Sequence, residues 1–436
     1  MKKMVLTGLI AAMLATMLGM MGCSAVPNGH RAGAPSVALA SEKPRVAAHE
    51  LPDADLDALA EGNSAFAFDL YQLLAAERSG ENLFYAPYSI SLALAMTYAG
   101  ARGETEEQMA EALRFELSQA DLAAAFNALD QELARRGEGA EGRDEGGFRL
   151  NIANAIWGQE DVGFLTAYLD VLAENYGAGL RVLDFVGSPE GARVTINDWV
   201  SEQTEGRIED LIPQGAIDPL TRLVLTNAIY FNAAWAEPFP VRATEDGPFT
   251  RLDRSQVSVP MMVQSTPFGY AEGEDFQAVQ LYYDGHDMSM VILLPGEGQF
   301  QAFEEALDAR RVQAIIEGLE RREVALTMPK FEFDASFGLK HALSALGMDQ
   351  AFSDAADFSG MTGSRDLFIS EVVHDAFVAV DEEGTEAAAA TAVIMPTSAK
   401  PQEPVQVTVD RPFVFLIRDV RTGTVLFVGR VLDPSA

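Results

Sequence analysis

Cysteine is nearly absent from this chain. Cys23 is the only one in 436 residues, which rules out an internal disulfide and a cysteine-based metal site. Histidine is scarce too. His30, His49, His286, His341 and His374 complete the set, and none forms HExxH or a close metal-binding pair. Positive charge is in short supply, with 31 Lys and Arg against 65 Asp and Glu, for a net charge of −34. Nucleic-acid binding depends on cations that neutralise phosphates, so this balance argues against nucleic acid as a partner. The G-x-S-x-G elbow, the P-loop and GxGxxG are all missing. No enzyme activity, metal or cofactor is expected.

Long apolar runs are also lacking after the first residues. Lys2 and Lys3 precede one such run, Met4 to Met21, which is followed by Gly22 and Cys23. Residues 1–22 therefore read as an export signal outside the fold. The position of Cys23 resembles a bacterial lipoprotein cleavage site, where the cysteine becomes the lipidated first residue. Met20 and Met21 depart from the more usual Leu and small residue there. Ser24 in the following position favours the outer membrane or cell surface over the inner membrane, with simple secretion or an uncleaved anchor as the alternatives to lipidation. Residues 23–51 are rich in Ala, Pro and polar groups and read as the lipidated cysteine and a flexible tether spanning roughly 30 Å on average. With 48% hydrophobic residues and no linker or repeat after residue 60, residues 52–436 are expected to form one large mixed domain.

The strongest local signal lies near the C-terminus, in Asp381-Glu-Glu-Gly-Thr-Glu-Ala-Ala-Ala-Ala-Thr-Ala-Val393. Ala and Glu favour helix, but the flanks disagree. Asp366-Leu-Phe-Ile-Ser-Glu-Val-Val and Ala376-Phe-Val-Ala-Val read as strands, and so do three β-branched and aromatic runs from Val405 to Val431. With a period of two, Thr385, Ala387, Ala389, Thr391 and Val393 share one face and Glu386 falls on the other. That face is small enough to enter a core between two strands.

Glu382-Glu-Gly-Thr-Glu-Ala-Ala-Ala-Ala-Thr-Ala resembles the reactive-loop hinge of inhibitory serpins. Asn82-Leu-Phe-Tyr-Ala-Pro-Tyr-Ser-Ile-Ser, Ile196-Asn-Asp-Trp-Val with Thr204-Glu-Gly-Arg-Ile, Leu225-Thr-Asn-Ala-Ile-Tyr-Phe with Trp235, and Val259-Pro-Met-Met are similar to further motifs of the family. Phe358-Ser-Gly-Met, His374-Asp-Ala-Phe and Arg411-Pro-Phe-Val-Phe complete them, in family order from about Asn63 to Pro434. The resemblance implies an α+β fold of three β-sheets and eight or nine helices with an exposed reactive-centre loop. It also implies a suicide substrate that traps a target serine protease as a covalent acyl-enzyme when the cleaved loop inserts into the central sheet.

The same resemblance assigns roles to residues. The hinge comprises Glu382, Gly384, Thr385, Glu386, Ala387, Ala388, Ala389, Ala390 and Thr391. Gly384 is expected to allow the backbone reversal, and Thr385 to enter first. Counting fourteen positions on from Gly384, or fourteen back from Pro412, gives Ser398. The reactive bond is then Ser398–Ala399, with Met395, Pro396, Thr397 and Lys400 setting specificity. A small acyl-side residue suits elastase-like or subtilisin-like pockets. Lys400 is the alternative for a trypsin-like target, but Pro401 would follow it. Ser89, Asn227 and His374 match the shutter beneath the sheet, with Ala86 in place of the family's usual Ser. Trp235 matches the breach, where Lys330 is expected to pair with Glu382. Asp375 replaces a common lysine, with no consequence assigned. Two alternatives stay open: a non-inhibitory serpin acting as a binding or carrier module, and a cross-class inhibitor of papain-like cysteine proteases. The partners expected are the protease and, through Cys23, a membrane, with the chain a monomer.

Overall fold

A computed structural model of the chain describes residues 36–48, 52–136, 138, 149–385 and 403–436. All of them fall within one unit, Gly33–Ala436. The first half runs β1 (Val37–Leu39), α1 (Asp53–Glu77), β2 (Leu83–Tyr85), α2 (Pro87–Tyr98), α3 (Gly103–Leu113), α4 (Gln119–Leu133), β3 (Arg149–Gln159) and α5 (Thr166–Val171). A π turn (Leu172–Tyr176) extends α5, followed by β4 (Leu180–Leu183), α6 (Pro189–Gln203), β5 (Leu223–Ala234), β6 (Glu245–Thr250), β7 (Gln256–Glu272), β8 (Phe276–Tyr282) and β9 (Met288–Pro295). Then come α7 (Phe300–Glu305), α8 (Ala309–Glu317), β10 (Glu320–Pro329), β11 (Phe331–Gly338), α9 (Lys340–Ala345), α10 (Ser359–Thr362), β12 (Glu371–Val380), β13 (Gly384–Thr385), β14 (Val405–Thr408), β15 (Phe413–Asp419) and β16 (Val425–Val431).

Seven strands form one sheet in the order β1-β4-β3-β5-β13-β12-β11. A nine-stranded sheet runs β14-β10-β7-β8-β9-β15-β16-β2, with β6 paired to β7. The resemblance implies three sheets. Here two of them are continuous, because the 17-residue β7 pairs in turn with β6, β10 and β8. The described residues hold ten α-helical segments against the eight or nine expected, with single-turn pieces such as α10 making the difference.

Local sequence explains the pieces that frame the site. Pro87 opens α2, a position that needs no backbone N–H. Every residue of α2 is buried, as an apolar helix with no polar face must be. It packs beneath the first sheet against β3 and β5 and beside β16. Along β12 the side chains alternate. Val372, Ala376, Val378 and Val380 join the main core, while Val373 joins a smaller one built on Ala192, Ile196 and Val200 of α6. Helix α6 thus covers the outer face of β3, β5 and β12.

Two expectations are corrected. Asp366–Ser370 is not strand; Ile369 N–H donates to Ala351 O and Ser370 N–H to Leu223 O, and β12 begins only at Glu371. The expected tether, residues 23–51, is not free throughout, because Val37–Leu39 pairs antiparallel with β4. An otherwise open sheet edge accepts backbone hydrogen bonds that composition does not reveal.

Candidate functional site

Strands β5 and β12 are parallel and paired over seven positions, from Glu371 opposite Val224 to Phe377 opposite Tyr230. Above these positions they diverge. The chain turns at Asp381–Gly384, with Asp381 N–H donating to Gly384 O over 3.0 Å, and returns as β13 between them. Thr385 stands opposite Val380 on one side and Ala233 on the other, and Gly384 stands opposite Ala234. The hinge therefore already fills the first two positions of an additional strand.

Gly384 ends the turn and also allows a close approach. Its backbone is not in the left-handed region. A Cβ would lie 2.1 Å from Ala233 O and 2.7 Å from Ala234 Cα, so only glycine lets the strands close. Thr385 is 1% exposed, and its hydroxyl shares a 2.9 Å hydrogen bond with the Tyr283 hydroxyl. Tyr283 in turn stacks on Trp235, with centroids 4.6 Å apart.

The residues expected at the breach enclose the turn. Trp235 Nε1–H donates to Asp381 O (3.0 Å), its backbone N–H donates to Glu383 O, and Phe239 N–H donates to Glu382 O (both 2.7 Å). The Glu382 carboxylate lies 2.7 Å from Lys330 Nζ and accepts from Thr244 Oγ1 at 2.7 Å. Burial alone would raise this carboxyl, but those two hydrogen bonds hold it below its ordinary value. The Asp381 carboxyl is raised by burial, although it accepts from the backbone N–H groups of Glu383 and Gly384.

The residues expected as the shutter meet at the midpoint of the closed stretch, where His374 stands opposite Asn227. Asn227 Nδ2 donates to Ser89 Oγ (2.5 Å) and to Asn154 Oδ1. Ser89 Oγ donates to Asn154 Oδ1 (3.2 Å), and Asn154 Nδ2 donates to Ser89 O (3.1 Å). The backbone N–H of Ala86 donates to His374 Nε2 over 3.1 Å. That fixes the tautomer: His374 carries its proton on Nδ1 and donates it to Asn227 Oδ1 at 2.5 Å. Burial pushes the imidazole down to about 3. The hydroxyl absent at Ala86 is not needed to hold the ring. This network ties α2 to β3, β5 and β12, and parting the strands would strand its buried polar groups, each at about 1–3 kcal/mol.

A family model described as Serpin (serine protease inhibitor) matches residues 61–434. The chain is a serpin. It is 40% identical to the leukocyte elastase inhibitor of Bos taurus, over 87% of this chain and all of that protein. It is also 40% identical to an uncharacterized serpin-like protein of Thermococcus kodakarensis, over 88% of this chain and 90% of that one. Among solved structures, uncleaved ovalbumin superposes with a TM-score of 0.76 at 27% identity, covering 86% of this chain and all of that one.

In this serpin the structure brings together Glu382, Gly384 and Thr385 with Trp235 and Lys330, and separately Ser89, Asn227 and His374. Glu386 to Thr391, Met395 to Lys400 and Cys23 lie outside the described residues. Two participants escape the sequence reading. Asn154 is the one polar residue between Ile152 and Gly158 of β3, which is the signal that could have marked it. Tyr283 follows β8 and carries no signal of its own. Asp375 now has a consequence. On β12 it stands opposite Ser336 of β11 and Ala228 of β5. Burial, and then the charge of Asp334, push its carboxyl up to about 7 against a hydrogen bond from Ser336.

Proposed function

We propose that this serpin is a suicide inhibitor of an elastase-like or subtilisin-like serine protease, with Ser398–Ala399 as the reactive bond. The observation that carries the reading is the hinge: β13 starts an antiparallel strand between β5 and β12, aimed at the seven pairs below. The next positions down, Asn232 and Ala379, would receive Glu386. The names of the elastase-inhibiting relatives agree with a small acyl-side residue. The protease's serine oxygen attacks the Ser398 carbonyl carbon, the bond to Ala399 N breaks, and that amine leaves with a proton. Residues 386–398 then extend the strand by about 43 Å at ~3.3 Å each. Two new ladders and buried side chains replace one, and the tethered protease is carried away before water cleaves the ester.

Denaturing gel electrophoresis of the serpin incubated with single proteases tests this. An adduct of summed mass with elastase or subtilisin, and release of a peptide beginning at Ala399, is expected. An adduct formed only with a papain-like enzyme would move the target class. Cleavage without adduct across all proteases would mark the chain as a non-inhibitory serpin acting as a binding or carrier module. We further propose that the chain is exported and held at the outer membrane or cell surface by lipid on Cys23. Incorporation of labelled palmitate that Cys23→Ser abolishes supports this, whereas equal labelling of both overturns it.

A further inference from the structure

The segment before α1 lies outside the family model, which starts at residue 61, yet it is built onto the body in detail. Val37, Ala38 and Leu39 pair antiparallel with Val182, Arg181 and Leu180, so β1 becomes the outermost strand of the first sheet. Leu39 packs against the main core. Val46 N–H donates to Glu174 O at 2.8 Å, and Val46 O accepts from Asn127 and Gln131 of α4, both at 2.9 Å.

Charge complements the backbone pairing. This chain has less than half as many cations as anions, and two of them sit here on three acids. Lys43 Nζ lies 3.1 Å from both Asp170 and Glu174. Arg45 Nη2 lies 2.7 Å from Asp130, and its Nε–H donates to Asn127 Oδ1 at 2.8 Å. Ser41 Oγ donates to Asp170 at 2.5 Å. The receiving surface has room made for the segment. A Cβ on Gly179 would fall 2.9 Å from Leu39 O, and one on Gly177, which has φ +58°, would fall 3.0 Å from Arg45 Cδ.

From this geometry we infer that the edge of β4, with α4 and the α5 π turn, forms an acidic peptide-binding groove whose occupant is the chain's own residues 36–48. The groove takes an extended segment with an apolar residue followed four and six positions later by cations. Its occupant bridges β4 at the sheet edge on one side and α4, which packs on α1, α2 and the π turn, on the other. Occupancy closes an open strand edge and holds β4 and α4 in one cooperative unit. The inference is independent of whether the reactive loop inserts.

Hydrogen exchange on the full-length chain tests it. In Lys43→Glu/Arg45→Glu, the amides of Leu180, Val182 and the last turn of α4 should exchange roughly tenfold faster, together, through a shared opening. Both side chains are partly exposed, so the variant folds. Adding Asp130→Arg and Asp170→Lys restores complementarity and should return the slow exchange. Adding a synthetic peptide of residues 36–48 to the first variant should do the same. Unchanged exchange at Leu180 and Val182, or faster exchange confined to residues 36–48, overturns the inference.

Discussion

Replacing Thr385 by arginine tests the hinge most sharply. Thr385 is 1% exposed, and its hydroxyl satisfies the buried Tyr283 hydroxyl. An arginine there must either bury an unpaired guanidinium, at several kcal/mol, or pull β13 out from between β5 and β12. It also leaves the Tyr283 hydroxyl without a partner, at about 1–3 kcal/mol. Taking ~4 kcal/mol as the sum that opposes entry, insertion should slow by roughly a thousandfold relative to deacylation. The assay is the number of serpin molecules consumed per protease trapped, read from adduct and cleaved bands on denaturing gels. Thr385→Arg should be cleaved at the same bond and trap essentially nothing. Thr385→Val keeps the shape and strands the Tyr283 hydroxyl, so it should still trap, with stability lowered by about 1–3 kcal/mol. Equal trapping by Thr385→Arg and the parent chain would refute the insertion reasoning.

Three further outcomes follow from the titrating and buried groups. Asp375 is protonated in the fold up to about pH 7 but ionises near 3.8 when unfolded, so the stability it gives is present at low pH and lost between those values. Asp375→Asn should therefore stabilise the protein at pH 8 by on the order of 3 kcal/mol, measured by urea unfolding. His374 has the opposite slope: it stays neutral in the fold down to about pH 3 against 6.5 unfolded. Stability should fall by about 2 kcal/mol from pH 6.5 to 5 in the Asp375→Asn background, and His374→Gln should flatten that slope. Asn154→Ala removes a partner of both Ser89 and Asn227 and should cost about 1–3 kcal/mol, seen as a lower urea midpoint with an unchanged slope.

The parts of this fold legible in the sequence are those where chemistry and spacing coincide. Gly384 and Thr385 open a strand between β5 and β12, and Ser89, Asn227 and His374 are polar residues in apolar surroundings that demand partners. Asn154 was missed because a single asparagine on a strand says nothing about which network it joins. The close approach of Gly384 to Ala233 is not legible in the sequence, since it depends on a neighbouring strand and not on local backbone preference. Residues 36–48 read as tether because three residues of strand and two cations carry no periodicity. Their order comes from an acidic edge assembled from α4, α5 and β4, which no local window contains.

The most direct test of the central claim is incubation of the chain with pancreatic elastase, subtilisin and trypsin, followed by denaturing gels and intact-mass measurement. The expected result is an adduct of summed mass with elastase or subtilisin, together with a released peptide that begins at Ala399. Full recovery of protease activity at every excess of serpin, with the bond cleaved and no adduct, would contradict it.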